Sequence, residues 1–342
     1  MNGLSRLLSL STVLVACTAV APGAAQSYHV ARTFVLGGDG GWDYLALDTV
    51  GQRLFVARQN RVMVVDPGTG KVLAEIPGLE RAHGIAFAYE TGHGFATSGA
   101  DSAVTMFDLK TLQVLGHTTV APDDDAILYD VATHRIFTFN GDAHSASVID
   151  PASGRRIGTI DLGGGPEFAV SEGDGKLYVN LEDKATLVEL DAAAMKVTRQ
   201  WSLAPCQAPS GLAIDRVHHR LFSGCRNQVM AISDAATGKL IATEPIGQGV
   251  DACRFDPGTQ LAFASNGDGT LTVVHEDAPD KFAVVANVAT KRGARTMELD
   301  ERTHRVFTVS ADFGPPPAAT PEHPRPRPSI VPGTFALLVL EP

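Results

Sequence analysis

One set of three short apolar segments recurs along the chain: Leu45-Ala-Leu-Asp48, Arg53-Leu-Phe-Val-Ala57 and Arg61-Val-Met-Val-Val-Asp66. The first segment returns as Ile85-Ala-Phe-Ala88, Ile127-Leu-Tyr-Asp130, Phe168-Ala-Val-Ser171, Leu212-Ala-Ile-Asp215, Cys253-Arg-Phe-Asp256 and Met297-Glu-Leu-Asp300, at steps of 40 to 44 residues. A period in that range, carried by strand-like segments between turns, predicts an all-β, seven-bladed β-propeller with one four-stranded sheet per repeat. A single such sheet cannot bury its faces alone, so the seven units must close into one domain, expected over residues 26–342.

The first repeat predicts strand a over residues 44–47, b over 53–57, c over 61–65 and d over 71–76. The c–d turn Asp66-Pro-Gly-Thr-Gly70 carries its own chemistry. Asp accepts backbone N–H groups, Pro presets φ, and Gly permits φ > 0. It recurs as Asp150-Pro-Ala-Ser-Gly154 and Asp234-Ala-Ala-Thr-Gly238. The aromatics Phe55, Phe95, Phe137, Tyr178, Phe222, Phe263 and Phe307 fall at one position of strand b and are expected between blades. The first strand candidate, residues 28–35, has no repeat partner before it, and the last, 334–340, has no fourth strand after it. The two are expected to pair and close the ring, hiding the sheet edges.

The Leu54-Phe-Val-Ala57, Leu177-Tyr-Val-Asn180 and Val64-Val-Asp-Pro-Gly-Thr-Gly70 segments resemble the YVTN β-propeller repeat. About 310 residues resemble the exported YncE-like propeller proteins. The resemblance implies the fold and an exported setting, but little about activity. One type within that family binds DNA. Here the net charge of −10 and the lack of a long Lys/Arg run argue against nucleic acid as a partner.

Met1-Asn-Gly-Leu-Ser-Arg6, an apolar stretch over about 7–20 and Pro22-Gly-Ala-Ala25 read as a signal peptide over residues 1–25. A competing lipobox, Leu14-Val-Ala-Cys17, would instead leave a lipid on Cys17. Either way a periplasmic or secreted protein is expected, touching membrane only through that lipid. In an oxidising compartment Cys206 and Cys225, assigned to loops on one face of one blade, are expected to form a disulfide. Cys253, inside an inner strand, reads as a small buried hydrophobe.

One segment breaks the period. The b–c loop of the last blade, with its proline-rich stretch over residues 313–333, contains Phe313-Gly-Pro-Pro-Pro317 and His323-Pro-Arg-Pro-Arg-Pro328. It is either an extended surface loop or a lip over the channel mouth that brings Arg325 and Arg327 towards an anionic ligand.

The d–a and b–c loops of a propeller open on the same face. The residue five before each repeat anchor gives Asp43, His83, Asp125, Pro166, Ser210, Asp251 and Arg295, with Asp124 and Glu167 one position away. The b–c column adds Arg58, Asn140 and Asn266, with Asn180 displaced by one. An Asp or Ser ahead of a strand commonly caps its own turn, and an isolated His is commonly structural. The column as a whole nevertheless predicts a site. Converging carboxylates repel unless a cation, a proton or a basic ligand compensates. Ligand binding is assigned to Asp43, His83, Asp125, Glu167, Asp251, Arg295, Asn140 and Asn266, and a divalent metal, if bound, to Glu167, Asp251 and His83.

Three functions are compatible. The first is binding of a small molecule, metal complex or envelope protein at the top face. The second is a metal-assisted lactonase or lyase, with His83 as general base and Glu167 as the other catalytic group. The third is a non-catalytic interaction scaffold. The sequence contains no HExxH, haem CxxCH, nucleophile elbow or glycine-rich phosphate loop.

Overall fold

The computed structural model describes residues 27–318, 320, 326 and 328–342. The expected signal peptide with Cys17, and Arg325 and Arg327 of the proline-rich loop, lie outside them. Seven four-stranded antiparallel sheets follow one another around an axis, each with its strands in chain order a-b-c-d except the last. Blade one comprises Leu45–Asp48, Arg53–Arg58, Arg61–Val65 and Val72–Pro77, within one or two residues of the ranges expected. Blade seven comprises Met297–Asp300, Arg305–Ser310 and Ala336–Glu341, and its outer strand is His29–Val35 from the start of the domain. That strand pairs with Ala336–Glu341, from His29↔Glu341 to Val35↔Ala336. The ring closes on its own N-terminal segment, so the last blade has no missing strand.

Inner strands are apolar on both faces because each is covered by its neighbours, whereas outer strands alternate. Strand b of blade one is buried over five consecutive residues, while strand d of blade two alternates and strand d of blade three is mostly exposed. All seven strand-b aromatics are buried. Several touch aromatics of the next blade: Phe55 meets Phe87 at 4.9 Å, and Phe222 stacks on Phe255 at 5.1 Å. Each such ring contributes roughly 1.5–3 kcal/mol by burial, so the blade interfaces are the core of the molecule.

The turn chemistry is as expected. Asp66 Oδ1 accepts from Gly68 N at 2.8 Å and Thr69 N at 3.1 Å, and Gly70 takes φ +70°. Asp150 repeats the pattern with Ala152 N and Ser153 N. Cys206 and Cys225 form a disulfide in blade five, with Cα atoms 5.5 Å apart. Cys225 is the last residue of strand b, Arg220–Cys225, rather than a loop residue, so the bond ties the incoming d–a loop to an inner strand. Cys253 is fully buried, and burial pushes its thiol up to about 12, which leaves it protonated and inert.

Candidate functional site

The first strand of a blade enters the ring at the upper mouth, and in five blades its pairing with strand b breaks register there. The breaks lie between Ala82 and Ile85, Asp124 and Ile127, Pro166 and Ala169, Pro209 and Leu212, and Val250 and Ala252. These intervals contain His83, Asp125, Glu167, Ser210 and Asp251. A register break re-aims a side chain that a regular ladder would point into the sheet. In blades one and seven strand a starts later, so Asp43 and Arg295 lie just ahead of it.

Buried polar groups of the preceding blade then fix the backbone of these residues. Thr97 Oγ1 donates to Asp125 O at 2.7 Å, and Asn180 Nδ2 to Ser210 O at 3.0 Å. Thr296 Oγ1 donates to Asp43 O at 2.9 Å, and Ser265 Oγ to Arg295 O. Nothing in the sequence marks these clamps except Asn180, because a buried Thr or Ser in or beside a strand looks like an ordinary strand residue.

The result is a basin of about 570 Å³ lined by Asp43, His83, Asp125, Glu167, Asp251 and Arg295, together with Arg81, Arg226, Gln59, Trp42 and Tyr44. Tyr44 is its floor. The ring also borders the central channel below and lies 5.2 Å from Phe168. The channel holds its own ion pair, Arg254 with Glu298 at 3.0 Å.

Charges run around the basin in a chain. His83 Nδ1 contacts Asp43 Oδ2 and lies 3.3 Å from Asp125 Oδ1. Arg295 links Asp43, at 3.6 Å, to Asp251, at 3.0 Å. Ser210 Oγ bridges Asp251 and Glu167 at 3.1 and 3.2 Å. Arg226 joins Glu167 at 3.5 Å to Glu182 at 2.7 Å. Arg81 Nε donates to His83 Nε2 at 2.9 Å, and its Nη2 pairs with Asp123.

Protonation follows from burial and these neighbours. Burial drives Asp125 up to about 7, with His83 opposing and Asp43 and Asp251 adding to the rise. Burial drives Glu167 to about 8, reinforced by Asp125 and Asp251. Asp124, mainly through burial, rises to about 7. Burial opposes a second proton on His83, but the hydrogen bond to Asp43 and the charges of Asp125 and Asp43 outweigh it and raise the ring to about 9. Two arrangements therefore compete at His83. The neutral Nδ1–H ring can accept from Arg81 at Nε2, whereas the imidazolium cannot. The carboxylates favour the imidazolium, and Arg81 keeps Asp123 when it releases the ring.

The expected column is thus brought together, but the b–c column is not. Asn140 and Asn266 are fully buried within their own blades. Their Nδ2 groups donate to Ser145 O and Ser147 Oγ, and to Thr270 Oγ1 and Thr272 Oγ1, so they brace hairpins and do not line the basin. Arg58 is fully buried as well, donating to the carbonyls of Gly37, Gly38, Asp39, Gly40 and Gly41, with its guanidinium 3.6 Å from the Phe335 ring centre. The lining side chains are one residue further on, Gln59 and Arg226.

Nor does the expected metal trio His83, Glu167 and Asp251 gather its ligand atoms. At the mouth, among the described residues, the group whose ligand atoms lie within 4.8 Å of one another is Asp43, His83 and Asp125. Glu167 and Asp251 stand together around Ser210.

The described part of the proline-rich loop roots beside the basin. Phe313 bridges to Ile330, and Gly41, Trp42 and Arg295 line both the basin and an adjacent groove with Phe313, Pro328 and Ile330.

No family model and no curated protein matches the chain. Among solved structures, the chain is similar to one described as "Crystal Structure of Mitotic Checkpoint Complex", at 13% identity and TM-score 0.72, covering 99% of both chains. It is also similar to "Structure of U3-55K", at 11% identity and TM-score 0.71, covering 91% of this chain and 99% of that one. At such identities the likeness establishes the seven-bladed fold alone.

Proposed function

We propose that this protein is an exported, YncE-like propeller that binds, without catalysis, a small polar ligand carrying both a cationic and an anionic group. The observation that carries this reading is the basin's charge pattern. Four carboxylates, Asp43, Asp125, Glu167 and Asp251, share one cavity of about 570 Å³ with Arg81, Arg226, Arg295 and His83. With all four carboxylates ionised the ring is balanced when His83 is protonated, and it offers separate partners to both ends of a zwitterion. The Cys206–Cys225 bond supports an oxidising compartment.

The lactonase or lyase reading is weaker. A ring whose proton is held up to about 9 is a poor general base at neutral pH. A thermal-shift screen of amino acids, guanidino acids and dicarboxylates tests the proposal. The expected result is stabilisation by zwitterions that is lost in Arg295→Ala and in Glu167→Gln. Stabilisation that persists in both variants, or a response to no compound carrying both charges, would overturn it.

A further inference from the structure

The a–b turn of blade five and the c–d hairpin of blade six meet at the end of the ring opposite the basin. In five blades an Asp at the end of strand c, or just after it, spends its carboxylate on the turn that follows. Asp66, Asp108, Asp150, Asp191 and Asp234 each accept at least one backbone N–H two or three residues on. Blade six departs from this. Its c and d strands extend to Thr270–Ala278 and Lys281–Ala289, joined by two residues. Glu276 takes the place of the capping Asp but lies within the ladder, opposite Phe282, with no turn N–H to accept from.

The freed carboxylate points at blade five. Glu276 is 4% exposed, and among the described residues neither of its oxygens accepts a hydrogen bond. Oε1 lies 2.9 Å from His218 Nδ1, which lies 2.7 Å from Oδ2 of the buried Asp215. Neither contact has hydrogen-bond geometry, and Nδ1 is itself without a hydrogen-bond partner. Asp215 is held in place by the amides of Val217 and His218, at 2.8 and 3.2 Å. The nearby cation, Arg220, is engaged by Asp234 at 2.6 Å and by the carbonyls of His218 and Pro279. Among the described residues, two buried carboxylates thus face one imidazole nitrogen with no cation of their own.

We infer that Asp215, His218 and Glu276 form a divalent transition-metal site that clamps blade five to blade six. The three ligand atoms lie within 4.8 Å of one another. One imidazole nitrogen with two carboxylate oxygens suits Zn²⁺ better than the all-oxygen shells of Ca²⁺ and Mg²⁺. His218, one-third exposed, leaves a side open for water as the fourth ligand. The site shares no residue with the basin and does not depend on what the basin binds.

The test uses the whole chain in a His83→Ala background, which removes the histidine of the mouth cluster, after treatment with a chelator. Zn²⁺ is expected to bind at one equivalent and to raise the melting temperature. Adding Glu276→Gln is expected to weaken that binding by about tenfold or more and to abolish the metal-dependent shift. If Glu276→Gln folds poorly, His218→Ala with Co²⁺ as a visible-absorption probe gives the same readout. Undiminished Zn²⁺ affinity in these variants overturns the site. So does a lower melting temperature with no response to Zn²⁺, which would identify His218 as an imidazolium bridging the two carboxylates.

Discussion

His83, Asp125 and Glu167 couple the basin to pH, and all three act with one sign. His83 binds its second proton more tightly when folded, at about 9 against 6.5. Its contribution is complete below about pH 6.5 and lost as pH rises through 9. Asp125 and Glu167, at about 7 and 8 against 3.8 and 4.5, resist ionisation in the fold, so their ionisation costs stability as pH climbs towards those values. The folded state therefore holds more protons than the unfolded chain over this window, and stability must fall as pH rises. The melting temperature is predicted to drop between pH 6 and pH 9, and Glu167→Gln to flatten the drop and gain on the order of 1 kcal/mol at pH 9. Thermal melts of both proteins across that range check this, and a wild-type curve rising with pH would contradict it. Counting five back from each anchor located Asp43, His83, Asp125, Asp251 and Arg295, because the repeat fixes where strand a begins. The same counting on the b–c side found Asn140 and Asn266, which point into the sheet. Successive strand residues face opposite ways, and a one-residue offset separates them from Gln59 and Arg226. Arg81 had no signal, since it sits at φ +60° in a turn position that Asp123, Ala208, Gly249 and Gly293 fill in other blades, so no residue type marks it.

At the scale of single elements, the inner strands approach so closely that the residue after a site residue has little room. A Cβ on Gly211, next to Ser210, would lie 2.6 Å from the backbone of Ala252 and Cys253 in blade six. Gly211→Ala is predicted to cost about 1–3 kcal/mol through forced backbone displacement, read as a lower denaturation midpoint. An unchanged midpoint would mean that the blades separate more easily than their packing indicates. The disulfide is the second element-scale test. It closes a 19-residue separation, and Cys206→Ser with Cys225→Ser is predicted to lose about 3 kcal/mol in denaturant unfolding. The pairing was legible because the blade alignment put both cysteines in one unit. The strand position of Cys225 was not, because strand ends are set by hydrogen bonding that the repeat does not encode.

For the whole molecule, the decisive feature is closure. The outer strand His29–Val35 completes the blade that contains the last strand of the chain, so the ring holds only if both ends arrive together. Removing residues 27–36 would expose the edge of Ala336–Glu341, and is predicted to replace a single cooperative melt by soluble aggregates on size-exclusion chromatography. The period alone made this architecture legible down to the closing strand. What the ring carries was less legible, because the chemistry sits in irregular positions. The register breaks that turn side chains into the mouth recur in five blades but leave no mark in the apolar period, and the lengthened hairpin that frees Glu276 departs from the repeat.

That the seven blades build one binding basin can be read out by native mass spectrometry of the protein taken from its own compartment. The prediction is a small, polar adduct on the wild-type chain that denaturation releases and that Arg295→Ala and Glu167→Gln lose. A wild-type chain at its bare mass, or an adduct that both variants keep, would contradict the claim.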